Sequence, residues 1–451
     1  MKLSELEAPL SATLHGGDSS FAGVSIDSRS VAAGDLFVAL AGDNFDGHDY
    51  LPQAEQAGAV AAVVSRPVTT KLPVLQVADS QRALGLIGGH NRDLFERPLV
   101  AVTGSSGKTS VKNMISEVLS RRGLTLATAG NFNNEVGVPL TLLRLEPEHQ
   151  FAVVEMGAAG GGDIAWLCQL GKPTIAMVLN AMAAHLEGFG SVDDVAAAKG
   201  EIYDDLGASD IALINADQPW AAQWRERAAP ARIIEFAIDS PAAIGAKNII
   251  GRGMEGTSFT AVTPLGDIEI TLSVPGRHNV ANALAAIAVG VACELQLEEI
   301  AAGLASVRPV GGRLATRFTA AGTTVIDDCY NANPGSVRAA IDLLASCPGR
   351  RTLVLGEMRE LGVDSDELHR QMGEYASARG IERFWGVGPA LASAVSAFGH
   401  GAEAFENREL AIAAIPGAFD VDDTVLIKGS RGAGMEHVLA AFDSVPVREI
   451  S

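Results

Sequence analysis

From about Pro98 onward, short apolar runs alternate with segments of helical apolar spacing. Leu99–Thr103, Phe151–Glu155, Thr174–Leu179, Ile211–Asn215 and Arg232–Phe236 read as strands, mostly apolar and bounded by polar or glycine-rich residues. Helical patterns fall between the early ones, which predicts a mostly parallel sheet with helices on both faces. Ile244 to Leu272 is rich in Gly and β-branched residues and reads as an antiparallel addition. PGRHNVANALAAIAVGVA then begins with a Pro-Gly turn and becomes an Ala-rich buried helix. Beyond Gly311 and Gly312 a second alternating set appears: Thr323–Asp327, Thr352–Leu355, Arg383–Val387 and Thr424–Lys428. It predicts a smaller Rossmann-like domain. Before residue 80, a helical stretch from Leu51 to Gly58 and a strand from Val60 to Ser65 mark a small α/β module. The expected fold class is α/β in three domains, over residues 1–82, 83–310 and 311–451: a small N-terminal α/β module, a central P-loop-type mostly parallel sheet, and a C-terminal Rossmann-like domain.

The central set carries the plainest chemistry. TGSSGKTS, from Thr103 to Ser110, lies between the first strand and a helix beginning at Val111. Gly104 and Gly107 let backbone N–H groups approach an anion without a Cβ in the way. The helix N-terminus adds partial positive charge. Lys108 brings a full charge for the β/γ-phosphates, and Thr109 a hydroxyl for Mg²⁺. Two residues separate the glycines, where the general phosphate loop has four. The strand before and the helix after make nucleotide binding the expectation, with Thr103, Ser105 and Ser106 completing the loop.

Composition narrows the class. The chain has 451 residues, 47% of them hydrophobic, with 49 Gly. That length exceeds one core, and the composition suits α/β layers. A net charge of -20 argues against general affinity for nucleic acid or acidic membranes. It leaves room for a local phosphate cradle. Cys168, Cys293, Cys329 and Cys347 are scattered with no CxxC, as in reduced cytosolic proteins. MKLSELEAPL lacks the basic and apolar regions of a signal peptide, and no apolar run approaches ~18 residues. A cytoplasmic protein is expected, with no membrane partner.

Ligands in such sheets gather at the carboxyl ends of strands. Glu155 closes one strand, where a carboxylate can hold Mg²⁺ or cap a helix. His185, in NAMAAHLEGFG, follows the next. Lys199 lies two turns into a helix that Ser191 and Asp194 start as a capping box. By spacing alone it reads as a solvated surface lysine. Asn279 and Asn282 share a helical face, to read an adenine edge or to cap the helix. Ser28, Arg29 and His48 read as turn chemistry. In the last domain three strands end in the polar loops DDCYNANPGS, GEMRELG and KGSRGAGME, which indicates one binding edge.

Taken in order, TGSSGKTS, TAGNFNNEVGVPLTLL, VVEMGA, AKGEIYDDL, PGRHNVANALAA, DDCYNANPGS, LGEMRELG and KGSRGAGMEHV resemble the Mur ligases of bacterial cell-wall synthesis. VSIDSRSVAAGDLFVALAGDNFDGHDY precedes them, so the resemblance spans essentially the whole chain. The short glycine loop is the form this family uses. GNFNNEVGVP resembles the branch that adds D-alanyl-D-alanine to UDP-N-acetylmuramoyl-tripeptide. The branch that adds the third peptide residue carries DNPR; this chain has LGEMRELG in the corresponding region. Folylpolyglutamate synthases share the central fold but lack the N-terminal module. A nucleotide-regulated binding protein or simple NTPase is the reading from another class. It leaves the DSR and DGH module and the third domain without a role, and no NKxD guanine signature occurs.

The resemblance implies an ATP- and Mg²⁺-dependent ligase that activates a peptide carboxylate as an acyl phosphate. Lys108 and the loop amides would hold phosphates, and Thr109 and Glu155 one Mg²⁺. His185 would help with a second metal, and Lys199 would bind it as a carbamate. Asn279 and Asn282 would face adenine, Arg313 would reach ATP on domain closure, and Asp327 or Asp328 would meet the ribose. Asn131, Asn133 and Asn134 would line the site near the reacting groups. Ser28, Arg29 and His48 would hold the uridine diphosphate end. Tyr330, Asn331, Asn333 and Arg431 would serve the dipeptide side. A monomer is expected.

Overall fold

The computed structural model describes residues 1–42, 44–184, 186–309, 311–320 and 322–443. His185 therefore lies outside the described residues. The chain forms three domains, each built on its own sheet.

The first sheet runs in the order Thr13–His15, Val74–Gln76, Ala61–Val64, Asp35–Val38, Gly23–Ser25. All pairs are parallel except the one made by Thr13–His15. Alternate residues point to opposite faces. Leu36, Val38, Ala61 and Val63 meet the helices Leu3–Leu10 and Ser80–Asp93, while Phe37, Ala39, Ala62 and Val64 meet Leu51–Ala57.

The helix Ser80–Asp93 also joins this domain to the next. Ala83, Leu84 and Ile87 enter the first core. On its other side, Asn91 Nδ2 donates to the Leu142 carbonyl at 2.9 Å and Arg92 Nε to the Gly171 carbonyl at 2.7 Å. The seam expected between residues 82 and 83 falls inside this helix.

The central sheet is wholly parallel, in the order Arg232–Phe236, Ile211–Asn215, Ile175–Val178, Leu99–Thr103, Phe151–Glu155, Thr125–Ala127. Val100 and Val102 face one core with the helices Lys108–Leu119, Arg277–Ala292 and Leu297–Ser306. Leu99 and Ala101 face the other, with Asp163–Gly171, Val192–Gly200 and Ala221–Arg227. Both faces are covered, as the unbroken apolar runs require. The antiparallel addition is a three-stranded sheet, Gly245–Gly251, Thr257–Thr263 and Gly266–Leu272.

The last sheet runs Ala315–Phe318, Thr324–Asp328, Thr424–Lys428, Arg351–Gly356, Arg383–Val387, Ala402–Phe405, with only the first strand antiparallel. Thr125–Ala127, Ala315–Phe318 and Ala402–Phe405 lie outside the predicted set of strands. All three are short edge strands, and edge strands need not be apolar on both faces.

Candidate active site

A cavity of about 1120 Å³ lies between the central and C-terminal sheets. Its walls come from loops at the carboxyl ends of central strands, from the linker around Arg313, from the loop after Asp328 and from Lys428.

At one end is the glycine loop. Gly107 has φ +84°, and a Cβ there would stand 2.8 Å from Asn282 Oδ1. The backbone thus favours glycine, and a side chain would also displace the Asn282 amide. The helix Lys108–Leu119 starts with no side-chain cap, so its first N–H groups stay open to the cleft. Lys108 Nζ donates to the Gly104 carbonyl at 2.6 Å, over the loop. Burial lowers its pKa, with the Glu155 charge acting against that. Ser105 and Ser106 are held by Asn180: Ser105 N donates to its carbonyl at 3.1 Å and Ser106 N to its Oδ1 at 2.9 Å. Among the described residues the buried Thr103 Oγ1 has no hydrogen-bond partner.

Behind the loop sits a buried polar network. Thr109 Oγ1 donates to Glu155 Oε2 at 2.9 Å, and Asn133 Nδ2 donates to Glu155 Oε1 at 2.7 Å. Arg313 Nη2 donates to Thr109 Oγ1 at 3.0 Å, and its guanidinium stacks 4.1 Å from the Tyr330 ring. A linker residue of the C-terminal side therefore touches the loop directly.

This donor set fits a magnesium nucleotide. Open N–H groups, a lysine and a cradle that a Cβ would fill suit phosphate oxygens. A hydroxyl and a carboxylate are hard oxygen donors. Among the described residues no cluster of three or more His, Cys, Asp or Glu forms a protein cage. Mg²⁺ needs none, because it keeps waters and phosphate oxygens beside one or two carboxylates.

Lys199 is not a surface lysine. It is 2% exposed. Its helix, Val192–Gly200, packs beneath the sheet, with Val195 and Ala196 in the core. Among the described residues none accepts a hydrogen bond from its ammonium, which lies 5.9 Å from the Phe189 ring. Burial, then the charge of Lys108, pushes its pKa down to about 7. The surface reading fails because three alanines before a lysine fit a buried helical face as well as an exposed one.

The remaining expected residues divide. Asn279 and Asn282 line the cavity and bond to each other, Asn282 Nδ2 donating to Asn279 Oδ1 at 3.0 Å. Asn279 Nδ2 donates to the Pro275 carbonyl at 2.7 Å, and neither amide caps the helix, which starts after Gly276 without a side-chain cap. Of the two aspartates it is Asp328 that reaches the cavity. Asp327 points the other way along the strand, where its carboxylate accepts from Gly312 N at 3.0 Å. Asn131 and Asn133 line the cavity, whereas Asn134 accepts from Gly137 N at 2.9 Å and starts a helix outside it. Tyr330, Asn331 and Asn333 line the far wall. Asn333 is also the N-cap of Pro334–Ala345, accepting from Ser336 N at 2.8 Å. Arg431 lies outside the cavity with its side chain 72% exposed.

Sequence reasoning passed over three groups here. Lys428 Nζ donates to Asp328 Oδ2 at 2.5 Å and to the Asn331 carbonyl at 2.9 Å. Burial raises the Asp328 pKa and Lys428 opposes it. His278 lines the cavity, its pKa pushed down to about 4 by burial and then by Lys428. Asn180 clamps the loop. Both Asn180 and Lys428 are polar residues at or just past the end of a buried strand, a signal that the strand-end rule already contains.

Ser28, Arg29 and His48 lie elsewhere, in the first domain, and of the three only His48 lines the cavity there. Ser28 Oγ donates to Gln53 Oε1 at 2.9 Å, and Arg29 pairs with Asp27 at 2.6 Å. His48 lines a second cavity, of about 470 Å³, with Arg66 and Thr69. Both its ring nitrogens are engaged, Nδ1 with Asp46 at 2.5 Å and Nε2 as acceptor from Ser65 N at 2.9 Å. The half-exposed Arg66, missed in the sequence, pairs with Asp46 and Asp49 at 3.1 Å each.

Three family models match: the Mur ligase family catalytic domain at residues 20–87, the Mur ligase middle domain at 102–290, and the Mur ligase glutamate ligase domain at 312–431. The chain is 44% identical to the UDP-N-acetylmuramoyl-tripeptide–D-alanyl-D-alanine ligase of Escherichia coli K12, over 98% of each chain. A crystal structure of MurF from Acinetobacter baumannii superposes with a TM-score of 0.92 at 33% identity, covering 98% of each chain. MurF from Thermotoga maritima in complex with ADP gives 0.85 at 28% identity, over 94% of this chain and 97% of that one. With its three domains and its phosphate-loop geometry accounted for, the chain belongs to the Mur ligase family and is an ATP-dependent amide-bond ligase.

Proposed function

We propose that this ligase adds D-alanyl-D-alanine to UDP-N-acetylmuramoyl-tripeptide in cytoplasmic peptidoglycan precursor synthesis. The observation that carries the reading is the cavity between the two facing sheet edges. It has a phosphate cradle at one end and the Tyr330–Asn333 loop at the other. The near full-length likeness to the E. coli enzyme of that name supports the substrate choice. Among the described residues no helix is long and apolar enough to cross a membrane.

ATP supplies a phosphoryl group that turns an inert carboxylate into an acyl phosphate, from which the incoming amine displaces phosphate. The protein's part is positioning and charge neutralisation. Lys108 and the open N–H groups would hold the phosphates, and Thr109 with Glu155 would hold Mg²⁺. Asn279 and Asn282 would flank adenine, and Asp328, rather than Asp327, would meet the ribose. Arg313 would bring the C-terminal domain onto the nucleotide, in line with its bond to Thr109. The N-terminal domain would take the uridine diphosphate end, around Ser28, Arg29 and the His48–Arg66 cavity. Asn131 and Asn133 would border the reacting groups, and Tyr330, Asn331 and Asn333 the dipeptide.

Lys199 would act as a carbamate. That modification needs a neutral amine, and a pKa lowered to about 7 makes one available near neutral pH.

A phosphate-release assay tests the assignment. With ATP, UDP-muramoyl-tripeptide and D-alanyl-D-alanine all present, release should be fast, and omitting either acceptor or donor should abolish it. Equal hydrolysis without them would favour a simple NTPase. Release with a diamino acid on the UDP-dipeptide would move the chain to the third-residue branch.

A further inference from the structure

Lys112 stands one helical turn beyond Lys108 and shares its face. It is only 3% exposed. A lysine so buried must bond its ammonium protons inside the protein. Lys112 Nζ donates to the Thr128 carbonyl at 2.7 Å and to the Gly130 carbonyl at 3.3 Å. These belong to the TAGNFNN loop, which runs from the edge strand Thr125–Ala127 to the helix Gly137–Leu142.

The loop in turn holds Glu155 from two sides. Thr128 Oγ1 accepts from Glu155 N at 3.0 Å. Asn133 Nδ2 donates to Glu155 Oε1 at 2.7 Å. Asn133 is itself fixed, its carbonyl accepting from Gly157 N at 2.7 Å. Thr109 holds the other carboxylate oxygen. Burial lowers the Lys112 pKa, with the Glu155 charge working against it, so the two charges sense each other without touching.

We propose that Lys112 is a positioning residue for the divalent-cation site: it ties the first turns of the glycine-loop helix to the Thr128–Asn133 loop and thereby fixes the Glu155 carboxylate. The inference rests on the reading of Thr109 and Glu155 as cation ligands. A side chain without a donor in place of Lys112 would leave the loop free to turn Asn133 away. With its ammonium engaged by the Thr128 and Gly130 carbonyls, Lys112 acts through Thr128 and Asn133.

Calorimetric titration of the full chain with ADP, over a series of Mg²⁺ concentrations and without peptide, reads the effect apart from turnover. For Lys112→Met the Mg²⁺ concentration at half-effect should rise about tenfold while metal-free ADP affinity stays within about twofold, the scale seen when outer-shell partners are lost. Lys112→Arg should recover most of the shift. The Lys112→Met/Asn133→Ala double variant should be no worse than Asn133→Ala alone, because both act on one group. A folded Lys112→Met with the wild-type Mg²⁺ half-point overturns the proposal. So does equal weakening of ADP with and without Mg²⁺, which a merely structural lysine would produce. If Lys112→Met does not fold, Asn133→Ala decides: it should show the same shift, and an unchanged half-point overturns the relay. Glu155→Gln separates the two layers. Should it leave Mg²⁺ dependence intact, the cation-site reading fails before Lys112 is reached.

Discussion

The central and N-terminal sheets both present polar loops at the carboxyl ends of parallel strands, yet they hold those loops differently. At the central edge Thr109 and Asn133 both bond the buried Glu155 carboxylate, and the buried Lys112 holds the Thr128 and Gly130 carbonyls of the loop that carries Asn133. At the N-terminal edge the charges pair in partial exposure, Arg29 with Asp27 and Arg66 with Asp46 and Asp49. Buried networks are strongly coupled, since low dielectric magnifies both a bond and its loss. Exposed ion pairs contribute only about 0–1 kcal/mol and exchange partners readily. The difference matches two tasks. In the proposed function one edge would place reacting charge within tenths of an ångström, and the other would grip a distant handle of the substrate.

Substitutions can break this contrast. Lys108→Ala should reduce ligation by about 10²–10³ or more, the scale for losing a donor to developing charge. Unchanged amide-bond formation in a coupled assay would remove the basis of the functional reading. Glu155→Gln should follow, with a loss of about 10² in kcat and a raised Mg²⁺ requirement. At the other edge Arg66→Ala should raise KM for the UDP-peptide several-fold and leave kcat alone. If it lowered kcat as strongly as Glu155→Gln, the contrast between the edges would be wrong.

A pH titration sharpens the picture at Lys199. Its pKa is lowered to about 7, so the amine is mostly protonated below that value and mostly neutral above it. Carbamate formation should therefore rise as pH rises through 7 and fall on the acid side. Nuclear magnetic resonance with ¹³C-bicarbonate reads the adduct directly, and added bicarbonate should lift activity most near pH 7. A pH-independent adduct, or none, would count against the carbamate. The smallest effect belongs to Arg431→Ala. With 72% of its side chain exposed and its position outside the cavity, it should leave steady-state constants within about twofold.

Particular residues show how far the chain could be read unaided. The strand–loop–helix around Lys108 was legible because its apolar runs, glycines and lysine all constrain one local geometry. Glu155 was legible as a polar stop on an apolar strand, and Lys428 carries the same mark. Lys112 was not, since a lysine in a helix gives no local sign of its burial. Asp327 and Asp328 are adjacent and chemically identical. Only the pleat of Thr324–Asp328 sends the second to the cavity and the first toward Gly312. Asn333 both lines the cavity and caps a helix, whereas the neighbouring amides Asn133 and Asn134 part, the first to the cavity and the second to Gly137 N.

The amino-acid order by itself determined the alternation of strand and helix, the phosphate loop and the likeness to the Mur ligases, because these depend on neighbours a few residues apart. The folded chain alone decided which side chains share a cavity, that Lys199 and Lys112 are buried, and that Arg313 reaches Thr109. Those outcomes depend on contacts between segments up to two hundred residues apart, where burial and pairing are set by packing rather than by local pattern.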